Sequence, residues 1–311
     1  MNANARKFNI AEKEYPKVLL FGNGLTRNEK SLSWDTLIEK VCRPGVNIEY
    51  YKTDIGNNKK VFRLPYSVLS LATSPFDDKE RHNKYAEVLG TIEYGNNTYL
   101  KTLVKDLFDA VLTTNYTYEA EVSIETKYAN YNSKQKQYYA YYTSDRYDSK
   151  YLIHSYNKIG KDNPGIWHIH GEVRRKDSMI LSLYEYVRYI NKIGEYKESR
   201  REDYLYKTEE LEFESWIDYF LFGEVFVLGF GFDFSELDLW WLLGRRLSTN
   251  ENRGQIHFYE PETNDNKIKH IALKDMGVDV QNLGFIEEKN KVNYDEFYKK
   301  AIEKIFKQVK R

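Results

Sequence analysis

Two histidines one residue apart, His168 and His170, stand in the run Trp167-His-Ile-His-Gly171. An imidazole titrates near neutral pH, so such a ring can take a proton from a sugar hydroxyl or from a water. A short alternating strand over 166–170 would put both rings on one face, and Gly171 would let a ligand approach the backbone. His170 is the candidate base and His168 the structural partner; a satisfied structural role is the competing reading for each. The His-x-His spacing also fits a metal pair, but no third His, Cys or carboxylate lies at ligand spacing, so no metal site is expected.

Three further pieces carry chemistry. Gly22-Asn23-Gly24-Leu25-Thr26 follows an apolar run, and such a Gly-x-Gly turn aims free amide N–H groups at a phosphate. It lacks the third glycine of the usual dinucleotide fingerprint, and an ordinary loop is the alternative. Leu112-Thr-Thr114-Asn115-Tyr116 places an amide side chain where a strand should end, able to bond a ribose hydroxyl or hold a water; capping of the next helix is the other reading. Gly229-Phe-Gly231-Phe-Asp233 is a second Gly-x-Gly turn, suited to lie against a nucleoside.

The elements that must position these pieces follow from periodicity. Continuous apolar runs at 17–21, 108–114 and 224–228, with a fifth strand at 256–260 after the histidine run, read as parallel strands covered on both faces. Helical spacing follows at 33–41, at 233–243 with Asp233 or Ser235 as N-cap, and at 293–309, where Phe297, Ile302, Ile305 and Phe306 mark an amphipathic terminal helix. Trp240 and Trp241 are read as packing residues, and Arg245 and Arg246 as salt-bridge formers at the end of the apolar helix. Strand, glycine turn and helix in alternation predict an α/β fold: a Rossmann-like parallel sheet flanked by helices, with ligands beyond the carboxyl ends of the strands. The expected organisation is a flexible arm over 1–14 and a single NAD-binding domain over 15–311, with insertions at about 44–104 and 120–165. A tyrosine-rich stretch at 128–156 falls in the second insertion and reads as a packed hairpin, a lid or subunit contact, or a stacking surface for single-stranded nucleic acid.

Composition narrows the class. The 311 residues carry 47 Lys and Arg against 47 Asp and Glu, so total charge gives no indication of nucleic acid as a partner. Cys42 is the only cysteine, which excludes a cysteine-rich zinc site and an intrachain disulfide. Neither a charged-then-apolar leader nor a bilayer-length apolar stretch is visible, so the expectation is a soluble, cytoplasmic protein without a membrane partner.

The ordered set Gly-Asn-Gly-Leu-Thr with its following Ser33-Trp helix, Leu-Thr-Thr-Asn-Tyr, Ile-His-Gly, Tyr184-Glu-Tyr186 and Gly-Phe-Gly-Phe-Asp-Phe-Ser-Glu-x-Asp238 resembles the SIR2-like family. Within it the chain resembles the bacterial anti-phage defence branch, not the protein-deacylating sirtuins, which carry a four-cysteine zinc module; the insertions stand in place of that module. The resemblance implies that Gly22, Asn23, Gly24 and Thr26 hold the pyrophosphate of NAD. It also implies that Asn115 sits by the nicotinamide ribose and is catalytic together with His170, the catalytic histidine, that Thr114 is among the NAD-binding residues, and that Gly229, Gly231 and Asp233 take the adenosine side. Sirtuins commonly have Asp two residues after this asparagine; here it is Thr117.

The implied activity is hydrolysis of NAD, as substrate and without a metal, to nicotinamide and ADP-ribose, with NAD depletion during phage infection as the outcome. The glycosidic bond breaks with oxocarbenium character, so the site must hold the ribose, shield the leaving group and deliver a water. Control is expected from homo-oligomer formation or from a defence-system partner, an ATPase or an Argonaute-like protein in related systems. The alternatives are a non-catalytic NAD or ADP-ribose sensor, which needs only the glycine loops, and an NAD-dependent protein deacylase, which needs an acyl-lysine channel.

Overall fold

The computed structural model describes residues 6–26, 32–54, 60–62, 64–92, 97–104, 107–124, 155–158, 163–249, 252–285 and 292–309. In chain order the strands are β1 (Arg6–Phe8), β2 (Lys17–Phe21), β3 (Lys52–Asp54), β4 (Lys60–Phe62), β5 (Ala110–Thr113), β6 (Ser155–Lys158), β7 (Gly165–His168), β8 (Leu211–Phe213), β9 (Glu224–Leu228), β10 (Ile256–Tyr259) and β11 (Asp279–Gln281). The helices are α1 (Asn23–Thr26), α2 (Trp34–Val41), α3 (Tyr66–Thr73), α4 (Asp78–Leu89), α5 (Thr98–Val104), α6 (Glu119–Ile124), α7 (Leu183–Ser199), α8 (Arg201–Tyr206), α9 (Trp216–Phe222), α10 (Leu237–Thr249), α11 (Lys267–Asp275) and α12 (Tyr294–Val309).

The protein is mixed α/β, built on a seven-stranded sheet in the order β11-β10-β9-β2-β5-β7-β6. Six of these strands run parallel, and β6 closes one edge antiparallel to β7. Alternation along each strand divides the core into two layers. Val18, Leu20, Leu112, Val225 and Val227 pack with α7, α9 and α10 on one face; Leu19, Phe21, Val111, Phe226 and Leu228 pack with α5 and α12 on the other. Both faces are therefore dry, which is why these strands read as continuous apolar runs. A third cluster joins α2, α3 and α4 into a helical lobe through Leu37, Ile38, Leu69, Tyr85 and Leu89, anchored on Tyr116 and Tyr118 beyond the end of β5.

Several expectations are corrected here. Within the expected arm, β1 pairs antiparallel with β8 and Ile10 is fully buried, so this part is packed on the domain. The histidine strand ends at His168, since the chain turns there: the Gly171 N–H donates to His168 O. The helix expected from Asp233 starts at Leu237, because the Asp233 carboxylate accepts the Ser235 N–H and closes a turn first. Among the described residues Arg246 makes no salt bridge; its buried guanidinium donates to the carbonyls of Phe220, Gly223 and Gly254, capping the end of α9. The apolar face of α12 is used inside the chain by the second core layer, so it gives no argument for self-association. The expected insertion at 44–104 consists of the β3–β4 hairpin and α3 to α5, with α5 packed on the sheet. Apart from its last two residues, the tyrosine-rich stretch lies outside the described residues. Among the described residues, no helix is long and apolar enough to cross a membrane.

Candidate functional site

The chain lays β2, β5 and β7 outward in one direction and β9, β10 and β11 in the other, so the connection order reverses between β2 and β9. At such a reversal the loops beyond the carboxyl ends of the two central strands diverge and leave a crevice. The loops there are the two glycine turns, 22–26 after β2 and 229–233 after β9. They touch: the Gly24 N–H donates to Gly229 O at 2.7 Å, and a Cβ on Gly24 would fall 2.7 Å from that same oxygen. Gly229 has φ +64°, a left-handed turn that a side chain would strain. The Gly24 amide is thus spent on loop-to-loop packing and is not free for a phosphate.

A cavity of about 650 Å³ opens on these loops. Its lining brings together Asn23, Gly24, Thr114, Asn115, His170, Gly229, Gly231 and Asp233. Gly22 and Thr26 stand behind the wall; Gly22 leaves room for Phe230, and the Thr26 hydroxyl receives the Asn115 side-chain amide at 3.4 Å. A Cβ on Gly231 would meet nothing within 4 Å, so this is where the loop is open to a ligand. Gly171 is not: its Cβ would strike the Ser178 carbonyl at 2.2 Å, and its role is the turn itself.

The histidines do not share partners. His168 is completely buried, with Nδ1 2.8 Å from the Asn115 carbonyl and Nε2 2.8 Å from Glu121 Oε1. Burial alone would lower its pKa; the Glu121 charge and hydrogen bond outweigh it and raise the ring to about 9. A protonated His168 donates at both nitrogens, which fixes the Asn115 backbone from the neighbouring strand.

His170 meets α10 instead. Its Nε2 lies 2.9 Å from Asp238 Oδ2 and its Nδ1 3.6 Å from Glu236 Oε2, with the Tyr186 ring edge-on at 5.5 Å. His170 is 2 % exposed and Asp238 0 %. Burial opposes the charged ring, but the two carboxylates prevail and hold His170 above its ordinary value. Glu236, which lines the cavity, is pushed up to about 7 by burial, against the pull of His170 and with the charges of Asp238 and Asp233 adding to the rise. The pair therefore holds a proton that can move near neutral pH. The ligand-capable atoms of His170, Glu236 and Asp238 all lie within 4.8 Å of one another, a set with the composition to hold a cation. Spacing along the sequence gave no sign that Asp238 meets His170, because the two are 68 residues apart, and His168 is not part of the cluster.

Sequence reasoning passed over Glu119 and Glu121 and left Glu236 and Asp238 unresolved. The only signal for the last two was their place in the Ser-Glu-x-Asp run after the second glycine turn. Asp233, by contrast, is exposed and spends Oδ1 on the Ser235 turn. Tyr184 is also exposed, while its neighbours Glu185 and Tyr186 face inward, the first in the capping box of α7 and the second donating to Glu236 at 3.3 Å. Asp35, Glu119, Asp233, Glu236, Glu260 and Asp295 line the cavity, and among its described lining residues there is neither Lys nor Arg. Glu260 is paired with Lys269 and Asp295 with Lys299, and burial holds Glu119 and Glu236 above the ordinary carboxylate range, so the lining is rich in carboxyl groups of which only part carry unpaired charge. No protein-family model matches the chain, and no curated protein matches it either.

Proposed function

We propose that the protein is an NAD hydrolase of SIR2-like type, built on a Rossmann-like sheet, that splits NAD into nicotinamide and ADP-ribose. The observation that carries this reading is the convergence of Asn115, His170 and both glycine turns on one cavity at the reversal of strand order. Six parallel strands in that order correspond to the dinucleotide-binding arrangement, and about 650 Å³ lies within the roughly 300–1,000 Å³ usual for cofactor sites. The carboxyl of Glu236 beside His170 supports the reading at the nicotinamide end alone. NAD carries a positive charge on its nicotinamide ring, and cleavage transfers that charge to the ribose as an oxocarbenium ion, which nearby carboxylates stabilise.

In this reading the dinucleotide pyrophosphate lies along the first glycine turn beside Asn23, with Gly231 against the adenosine side. Asn115 orients the ribose or the attacking water, its backbone pinned by His168. The proton released by water or by a ribose hydroxyl passes to the His170–Glu236 pair. Asp238 holds the imidazole in place and raises its proton affinity, and Glu236, pushed up to about 7, is the member matched to that step. NAD depletion during phage infection is the role proposed for this activity, with self-assembly or a defence partner as the control.

The test is nicotinamide release from NAD by the purified chain, alone and with lysate from phage-infected cells, beside Asn115→Ala and His170→Ala. Release lost in both variants is the expected result. No release under any condition, with NAD still bound by the wild type, refutes the hydrolase and leaves a non-catalytic NAD sensor.

A further inference from the structure

A second cavity, of about 180 Å³, lies at the other end of the sheet. Its walls come from Arg246 and Leu247 near the end of α10, from 253–256 leading into β10, and from 276–278 between α11 and β11. These last two segments precede their strands, whereas the glycine turns follow theirs. In a parallel sheet the two cavities therefore lie at opposite ends. The lining includes two arginines, Arg246 and Arg253, and among the described residues neither Asp nor Glu.

The first of these arginines is buried. Its Nη1 donates to Phe220 O and its Nη2 to Gly223 O and Gly254 O, and it meets no carboxylate among the described residues. Arginine stays charged in such surroundings, and carbonyl dipoles offset a buried positive charge only in part. Burial and the charge of Arg253 push Arg246 down to about 9, with the Tyr15 phenol opposing. The Nε–H and one Nη1–H of Arg246 are not used by those carbonyls. At the rim, Gln255 Nε2 donates to Gly277 O at 2.7 Å, so that carbonyl is engaged and the strongest charge facing the cavity is positive.

We infer that Arg246 and Arg253 form an anion site that takes a phosphoryl group, free or at the end of a small ester. The planar fork of a guanidinium matches the oxygens of a phosphate, and each such contact is a charge-assisted hydrogen bond. Volume sets the size of the ligand. About 180 Å³ is below the roughly 300–1,000 Å³ of cofactor sites, so the cavity suits a single phosphate and not a nucleotide. An anion seated there supplies the negative charge that Arg246 lacks. The site stands apart from the crevice and does not depend on the NAD reading.

Calorimetric titration of inorganic phosphate and of glycerol phosphate into the full chain tests it, at constant ionic strength with chloride as the control anion. Arg253→Gln is the informative variant, because Arg253 is half-buried, while loss of Arg246 would also uncap α9. Leu247→Glu, at an exposed position on the rim, sets a carboxylate against the guanidiniums without removing either. Wild type should bind one phosphate per chain, and chloride should give no saturable heat. Both variants should bind phosphate about tenfold more weakly or worse, the scale of one lost hydrogen bond to a charged group; thermal unfolding without phosphate establishes that each is folded. Tighter binding of the ester identifies an ester as the ligand, and tighter binding of free phosphate identifies the ion itself; either result supports the site. Equal affinity in wild type and folded Arg253→Gln overturns the inference, as does the absence of saturable binding by wild type. Phosphate that NAD displaces from all three proteins belongs to the crevice and overturns it too.

Discussion

Replacing Asp238 by Asn isolates the contact that governs the proton at His170. The carboxylate is wholly buried, and Oδ2 lies 2.9 Å from His170 Nε2. Two unit charges about 4 Å apart interact by roughly 4 kcal/mol at an effective dielectric constant near 20, and breaking a buried pair by removing one partner costs about 3–5 kcal/mol. The amide keeps an acceptor for the ring N–H, and Glu236 at 3.6 Å still faces Nδ1, so the expected loss is smaller, about 2–3 kcal/mol, the scale of a hydrogen bond to a charged group. The sign of its pH dependence is fixed. His170 is raised above its unfolded value of 6.5, so the pair's stabilisation is fully present below that value and is lost as pH rises through the folded-state pKa. Urea unfolding of wild type and Asp238→Asn should therefore differ most near pH 6 and converge in alkali, while the His170 ring resonances titrate at lower pH in the variant. Nicotinamide release should fall as well, with its pH profile displaced. A stability difference that grows with pH, or a His170 titration that does not move, would refute the reasoning.

Glu121→Gln acts on the other histidine: His168 should fall from about 9, with a stability loss greatest below pH 6.5 that fades as pH rises through 9, measured by urea unfolding across pH. NAD affinity should weaken together with stability, since His168 anchors the Asn115 carbonyl; unchanged NAD affinity would separate that anchor from ligand binding. The two glycine turns should respond differently to a methyl group. Gly24→Ala forces backbone against backbone at Gly229 and should cost about 1–3 kcal/mol. Gly231→Ala meets nothing within 4 Å and should melt like wild type while weakening NAD binding; equal melting of the two variants would contradict the packing described.

The parallel strands were legible because burial on both faces leaves no polar alternation to confuse the reading: the runs at 17–21 and 224–228 are strands as written, and those at 108–114 and 256–260 are strands over 110–113 and 256–259. β11 was missed because it is a three-residue strand on the sheet edge, half-buried along its length, with polar residues at two of its three positions. Helix and strand ends moved where a local bond competes with the regular ladder, at Asp233 and at Gly171. The glycine turns could be located from sequence, but not the fact that they pack against each other. The carboxylates were harder still. Glu121 and Asp238 reach their histidines across 47 and 68 residues; nothing beside Glu121 in the sequence distinguishes it from a surface acid, and the Ser-Glu-x-Asp run marks Asp238 without naming its partner.

That distance explains how the site is held. In the parallel register Thr113 of β5 faces His168 of β7, so the Asn115 loop leaves its strand beside the residue that closes the neighbouring one. His168 then bonds the Asn115 carbonyl, Glu121 from α6 charges His168, and one turn later His170 points the other way, to α10 and Asp238. Two histidines separated by a single residue thus connect the loop after β5 to the helix after β9. A strand that continued through His170 would have put both rings on one face and left one of those elements without its anchor. The turn at Gly171, closed against Ser178, is what sends the second ring across the crevice. Backbone geometry at a residue without a side chain therefore decides which carboxylate meets the candidate catalytic histidine, and a substitution at Gly171 should disturb His170 before it disturbs the sheet.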